Sequence, residues 1–251
     1  YTIFINTELI NQSQEFMSWK QLHQLSSEGA TIANHTTVHS HLVRQRPDES
    51  YFEWQKRIEK EITQAEAVIK YQLGKSPGLL AYPYGEYNNQ IKAITKRHGL
   101  VGFAQHSGAF DDSVDWQAVP RFAFNQMYAE MQGFANKVNS LPMPLVNAIA
   151  RDHRGEPLED PLIPHNSHRP SLKLTLESAE IAQRVQCFAS GQGQLDAEVD
   201  KTTVTLHLKR DLPVGRSRIN CTAPSDQAER FYWYSHFFMR KTNDNEWYNE
   251  L

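Results

Sequence analysis

The 251-residue chain has only two cysteines, Cys187 and Cys221, and no apolar run of the length a membrane crossing needs. Its formal net charge of −3 makes no field that would draw nucleic acid or an anionic membrane surface, so neither is an expected partner. No internal repeat and no low-complexity tract appears. With 39% hydrophobic and 22% charged residues the chain is globular, with room for one large domain or two ordinary ones. An aromatic content of 11% suits a neutral or weakly charged polymer that stacks on rings. The two cysteines fall in a strand-rich last third. They read either as one inter-strand disulfide, which implies an oxidising, extracytoplasmic compartment, or as two buried thiols. No signal peptide is visible, and Tyr1-Thr2-Ile3-Phe4-Ile5 reads as an interior strand, so the sequence reads as starting in mid-domain. Nothing in it speaks to oligomeric state.

What the chain does have is histidine, eleven in all, and two of them stand four residues apart in Asn34-His35-Thr36-Thr37-Val38-His39. On one helical turn, or in a turn-like loop, that spacing turns both imidazoles the same way. Imidazole suits zinc and its first-row neighbours, and a catalytic zinc takes three protein ligands and a water. Thr-Thr-Val is poor helix material, and a histidine-rich chain produces this spacing by chance as well.

Strand and helix signals alternate through the first half. Residues 1–6 read as a buried strand, and Ser18 as the N-cap of a helix that Gly29 stops. Residues 30–34 read as a second strand. A long helix is expected from about Ser50 to Leu73, with Phe52, Ile58, Ile62, Ala65, Val68 and Ile69 at helical spacing, ended by Gly74 and Pro77. Leu79–Tyr82, 100–104 and 119–122 read as strands, 88–98 as a helix, and about Tyr128 to Asn139 as another. Such alternation predicts a parallel sheet with crossover helices, and chemistry at the C-terminal ends of its strands. His35, His39, Tyr84, His106 and Arg121 all fall there.

From Leu141 the texture changes. Six prolines between 142 and 170 read as an extended linker over 146–170. Period-two segments follow at 172–177, 185–188, 202–208, 216–221 and 231–239, and predict a small antiparallel β-sandwich over 171–251. In the last, alternation sends Phe231, Trp233 and Phe237 to one face and Tyr232, Tyr234 and Phe238 to the other.

Asn34-His35-Thr36-x-x-His39 resembles the second motif of the polysaccharide deacetylases (carbohydrate esterase family 4). Leu79-Leu80-Ala81-Tyr82-Pro83-Tyr84-Gly85 looks like that family's third motif, in the right order and spacing, and Tyr1–Asn6 is similar to its second barrel strand. The resemblance covers about residues 1–145. It implies a distorted (β/α) barrel lacking its first strand and a divalent metal, zinc foremost. The implied reaction is hydrolysis of N-acetyl groups on an N-acetylglucosamine-containing polysaccharide or oligosaccharide.

Roles carry over residue by residue. His35 and His39 match the family's histidine ligands. Its third ligand, and its base, are aspartates of a first motif that this sequence does not show; Asp111-Asp112 follows the wrong strand. Tyr84 matches the residue whose backbone N–H meets the oxyanion, and with Pro83 lines the groove; the other reading is a turn with a packed aromatic. Ala81 stands where many members carry an arginine that orients the base. Arg121 is the replacement candidate, or else a surface arginine. His106 is the candidate acid for the leaving amine, or a structural histidine at a strand end. Asp115-Trp116 resembles the aspartate-tryptophan pair that walls the groove, and a core tryptophan is the alternative. His41 reads as a supporting or plain surface residue. Two histidines with no carboxylate leave a second function in view, a catalytically inactive carbohydrate-binding protein with a deacetylase-like groove.

Overall fold

The computed structural model describes residues 1–122 and 130–248. They are mixed α/β, and their contacts divide them into two units, residues 1–105 with 115–119, and residues 106–114 with 120–251.

In the first unit, β1 (Thr2–Ile5), β2 (Thr31–Asn34), β3 (Leu79–Ala81) and β4 (Val101–Phe103) form a parallel sheet in the order β1-β2-β3-β4. The helices α1 (Trp19–Ser27), α2 (Tyr51–Leu73) and α3 (Asn89–Arg97) make the crossovers. The caps explain where the helices begin. Ser18 and Ser50 each accept from the backbone of the third helical residue, while Gln21 and Glu53 reach back to the cap. Gly74 ends α2 at φ 76°, a left-handed conformation that glycine adopts without a Cβ penalty.

α2 buries Trp54, Ile58, Ile62, Ala65 and Ile69 at steps of three and four. Phe52, expected on that face, is exposed instead, since six residues before Ile58 lies about a third of a turn off the stripe. Trp54 takes the place and donates its Nε1–H to Leu42 O at 2.9 Å. Among the described residues the parallel sheet is open, with no closed barrel. It is nevertheless curled. Phe4 of β1 and Phe103 of β4 bring their rings to 5.5 Å, although on a flat sheet their backbones would stand roughly 14 Å apart. The strand expected at 119–122 is a single bridge, Val119 to Phe103.

The second unit holds two further sheets. One has the order β10-β11-β7-β6, from β6 (Leu145–Arg151), β7 (Ser171–Leu176), β10 (Ala197–Asp200) and β11 (Thr203–His207). The other has the order β5-β13-β12-β8-β9, from β5 (Leu141–Pro142), β8 (Gln186–Ala189), β9 (Gly193–Gln194), β12 (Gly215–Pro224) and β13 (Phe231–Arg240). Both feed one core: Leu172, Leu174, Val204 and Leu206 from the first, Ile219, Cys221, Ala223 and Phe238 from the second. Cys187 and Cys221 face each other across β8 and β12 with Cα atoms 4.1 Å apart, and form a disulfide.

The described residues of this unit also form the helices α4 (Met131–Val138) and α5 (Ala179–Arg184). The residue expected to open α4, Tyr128, lies outside the described residues. β6 opens at Leu145 and runs into the stretch read as linker, 146–170. Prolines bracket it at 142, 144 and 157 without interrupting it, so its N–H groups stay available for pairing with β7.

Candidate active site

The site is assembled at the C-terminal ends of β1, β2 and β3. His35 follows β2 directly and donates its backbone N–H to Ile5 O at 2.9 Å. Asn6 donates from its side chain to His35 O, and Thr7 N–H donates to Thr36 O at 3.2 Å. The histidine segment is therefore a loop laid against the end of β1, not a helical turn.

Fully buried Asn34 shapes that loop. Its Oδ1 accepts the Thr36 N–H at 2.7 Å, and its Nδ2 donates to Ile62 O at 3.0 Å and Glu66 Oε1 at 2.8 Å on α2. Thr36 and His39 both take left-handed backbone, φ 70° and 62°. For a β-branched threonine this is a strained state, held because the surrounding bonds over-determine it. His39 N–H closes the loop on Thr36 Oγ1 at 3.3 Å.

The loop turns the two imidazoles together, with ring centroids 4.7 Å apart and planes at 71°. His35 Nδ1 lies 2.7 Å from Ala81 O at the end of β3. A carbonyl oxygen only accepts, so the proton is on Nδ1 and the lone pair of the neutral ring is on Nε2. A ring held this way has Nε2 available as a metal ligand, and imidazole is a ligand type that suits first-row divalent cations. Among the described residues no group of three or more His, Cys, Asp or Glu side chains gathers as a metal set.

After β3 the chain turns through Pro83, Tyr84 and Gly85. Tyr84 is also left-handed, at φ 57°. Its ring lies 4.4 Å from that of His39 and is stacked flat on His41, at 3.8 Å and 7°. His41 Nδ1 is 2.8 Å from a carboxylate oxygen of Glu86, which is completely buried. His35, His39, Tyr84 and His41 thus form a run of four rings from two loops. Neither the weight of His41 nor the part of Glu86 was legible in the sequence. The acid directly after the Tyr-Pro-Tyr-Gly string was the one available sign.

Below the turn, Tyr82 is buried and donates its hydroxyl to Gln117 O at 2.7 Å; burial pushes its phenol above the usual tyrosine range. Trp116 runs alongside β4, where its carbonyl accepts the Gly102 N–H at 2.8 Å, and its ring is about half exposed. His106 and Arg121 group with the second unit. His106 is buried, with its ring 6.4 Å from that of Phe237, and its carbonyl accepts the Arg121 N–H at 3.0 Å. Burial lowers the pKa of the Arg121 guanidinium from its ordinary value.

Residues 1–103 match the family model described as polysaccharide deacetylase. Among solved structures the chain is similar to a Streptococcus pyogenes deacetylase, PplD, at 17% identity and a TM-score of 0.47, over 54% of this chain and 57% of that one. It is similar to a de-N-acetylase from Aggregatibacter actinomycetemcomitans at 19% identity and 0.46, over 54% and 63%. The BpsB deacetylase domain from Bordetella bronchiseptica follows at 16% and 0.43, over 48% and 59%. The chain thus spans less than two thirds of each of these structures. No curated protein matches it. The likeness to the polysaccharide deacetylase family model is thus carried by residues 1–103, the part of the chain that holds the histidine loop and the Tyr84 turn.

Proposed function

We propose that this chain carries out metal-dependent hydrolysis of N-acetyl groups on a polysaccharide or oligosaccharide containing N-acetylglucosamine. The observation that supports this most directly is the meeting of His35 and His39 beside Tyr84 at the strand ends, with the His35 tautomer set by Ala81 O. A divalent cation, zinc foremost, held by the two imidazoles would polarise the acetamide carbonyl and acidify a water. His35 and His39 supply two of the three protein ligands such a centre uses. The third is expected to be a carboxylate, and among the described residues none joins them.

Tyr84 presents its backbone N–H from a strained turn, and a donor aimed at the developing oxyanion contributes about 3 kcal/mol to the rate. Pro83, Tyr84 and Trp116 are the proposed groove walls. His106 is assigned the proton delivered to the leaving amine, and Arg121 the orienting guanidinium; their support is position, just after β4 and after the Val119 bridge. The curl of the first sheet supports a distorted (β/α) barrel, and the shared core of the other two supports a β-sandwich. The Cys187–Cys221 disulfide suits an oxidising, extracytoplasmic compartment. No helix among the described residues is long and apolar enough to cross a membrane.

The test is His39→Ala in zinc-loaded protein, assayed for acetate release from N-acetylglucosamine oligomers and for retained zinc. Loss of both with an unchanged circular-dichroism spectrum is the expected result; undiminished acetate release overturns the assignment. Oligomer binding by the unaltered chain with no acetate release would establish the carbohydrate-binding reading in its place.

A further inference from the structure

The imidazole of His41 touches the Tyr84 turn at both ends. It stacks on the Tyr84 ring at 3.8 Å and pairs with Glu86 at 2.8 Å, two residues further on. The backbone of the turn also closes on itself, with Gly85 N–H donating to Tyr82 O at 2.9 Å and Glu86 N–H to Pro83 O at 3.1 Å. Those bonds set the path of the chain but not the face of the Tyr84 ring.

Two features of this arrangement are costly. Tyr84 is a bulky residue at φ 57°, a conformation that persists only where its surroundings over-determine it. Glu86 is a carboxylate with no exposed surface, and removing such a group from water costs several kcal/mol unless it is paired. His41 touches both groups with one ring. It also lies on the same loop as His39, whose ring is 4.4 Å from Tyr84.

We propose that His41 and Glu86 are positioning residues that tie the histidine loop to the Tyr84 turn. They hold the Tyr84 amide at a set place relative to His39. The consequence for catalysis rests on the deacetylase reading; the tie itself does not.

The experiment uses the full isotope-labelled chain and the variants Glu86→Ala, Glu86→Gln and His41→Ala. The amide signals of Tyr84 and Gly85 are expected to shift or broaden in Glu86→Ala and His41→Ala. In Glu86→Gln they should stay near their original positions, because its amide oxygen still accepts from Nδ1–H. In acetate release, Glu86→Ala should lower kcat about tenfold with KM changed less than about twofold, and Glu86→Gln should restore it. A residue that merely stabilises the fold would lower the folded fraction and leave kcat per folded molecule alone. Where Glu86→Ala does not fold, His41→Ala carries the comparison. Unchanged Tyr84 and Gly85 signals in the alanine variants overturn the tie. If the unaltered chain releases no acetate, the deacetylase reading falls while the amide signals still decide the tie.

Discussion

The Nδ1 atom of His35 lies 2.7 Å from the carbonyl oxygen of Ala81. The two residues belong to neighbouring strand ends and are 46 positions apart in the chain. The contact settles the tautomer of His35, and it does so with backbone, which no side-chain substitution at position 81 removes. Ala81 is also the position at which the resembled family often carries an arginine. In this chain the side chain there is a buried methyl group, and what position 81 offers His35 is its peptide carbonyl.

Replacing Asn34 by alanine is expected to loosen the histidine loop. It leaves the Thr36 N–H without its 2.7 Å acceptor and withdraws both donors from α2. The cost should be about 1–3 kcal/mol in urea unfolding. Zinc affinity, read by competition with a chromophoric chelator, should fall about 10- to 100-fold. An affinity equal to that of the unaltered chain would show that the loop keeps its shape without Asn34.

Gly85 and Gly74 are both left-handed, at φ 69° and 76°, and differ in what surrounds them. A Cβ on Gly74 meets open space, so Gly74→Ala should cost about 1 kcal/mol for conformation alone. A Cβ on Gly85 would fall on the side chain and backbone of Gln105. Gly85→Ala should therefore destabilise by roughly 1–3 kcal/mol more, the range for overpacking. Equal unfolding midpoints for the two variants would contradict the close approach at Gly85.

His236 should make the protein acid-sensitive. Burial holds its imidazole down at about 4, and the Tyr234 hydroxyl, kept protonated by its own burial, lies within hydrogen-bond distance of Nδ1 at 2.8 Å. Between about 4 and the ordinary 6.5, the unfolded chain binds the proton and the folded chain does not. Stability is therefore complete above 6.5, falls with pH down to about 4, and loses at most roughly 3 kcal/mol over that window. Denaturant titrations from pH 7 to pH 4 on the unaltered protein and His236→Gln check this. The variant should show the shallower dependence, and identical slopes would place the acid lability elsewhere.

Much of the first unit was legible because its signals are local. Ser18 and Ser50 cap helices through bonds to residues three positions on, and Gly74 stops one through its own backbone freedom. Strand existence in the second unit followed from period two, clearest in β12, and the same alternation turned Tyr232, Tyr234 and Phe238 to the core. What was missed has equally local causes. α5 is six residues long, too short to show a helical period. β6 was obscured by prolines that lie beside it. Phe52 and Trp54 were exchanged because hydrophobicity marks a residue as apolar without saying which side of the stripe it occupies.

By itself the sequence determined the strand-helix alternation from β1 to β4, the two textures of the chain, the cysteines able to pair, and the histidine and Tyr-Pro-Tyr-Gly segments that resemble the family's motifs. Only the tertiary structure decided how those segments meet. The carbonyl that orients His35, the left-handed backbone of Thr36, His39 and Tyr84, and the reach of His41 to Glu86 all depend on parallel strands that bring distant loops to one end of a sheet. Spacing along the chain encodes which side chains share a turn. Distances between loops are set by strand register and packing, which no short window of sequence contains.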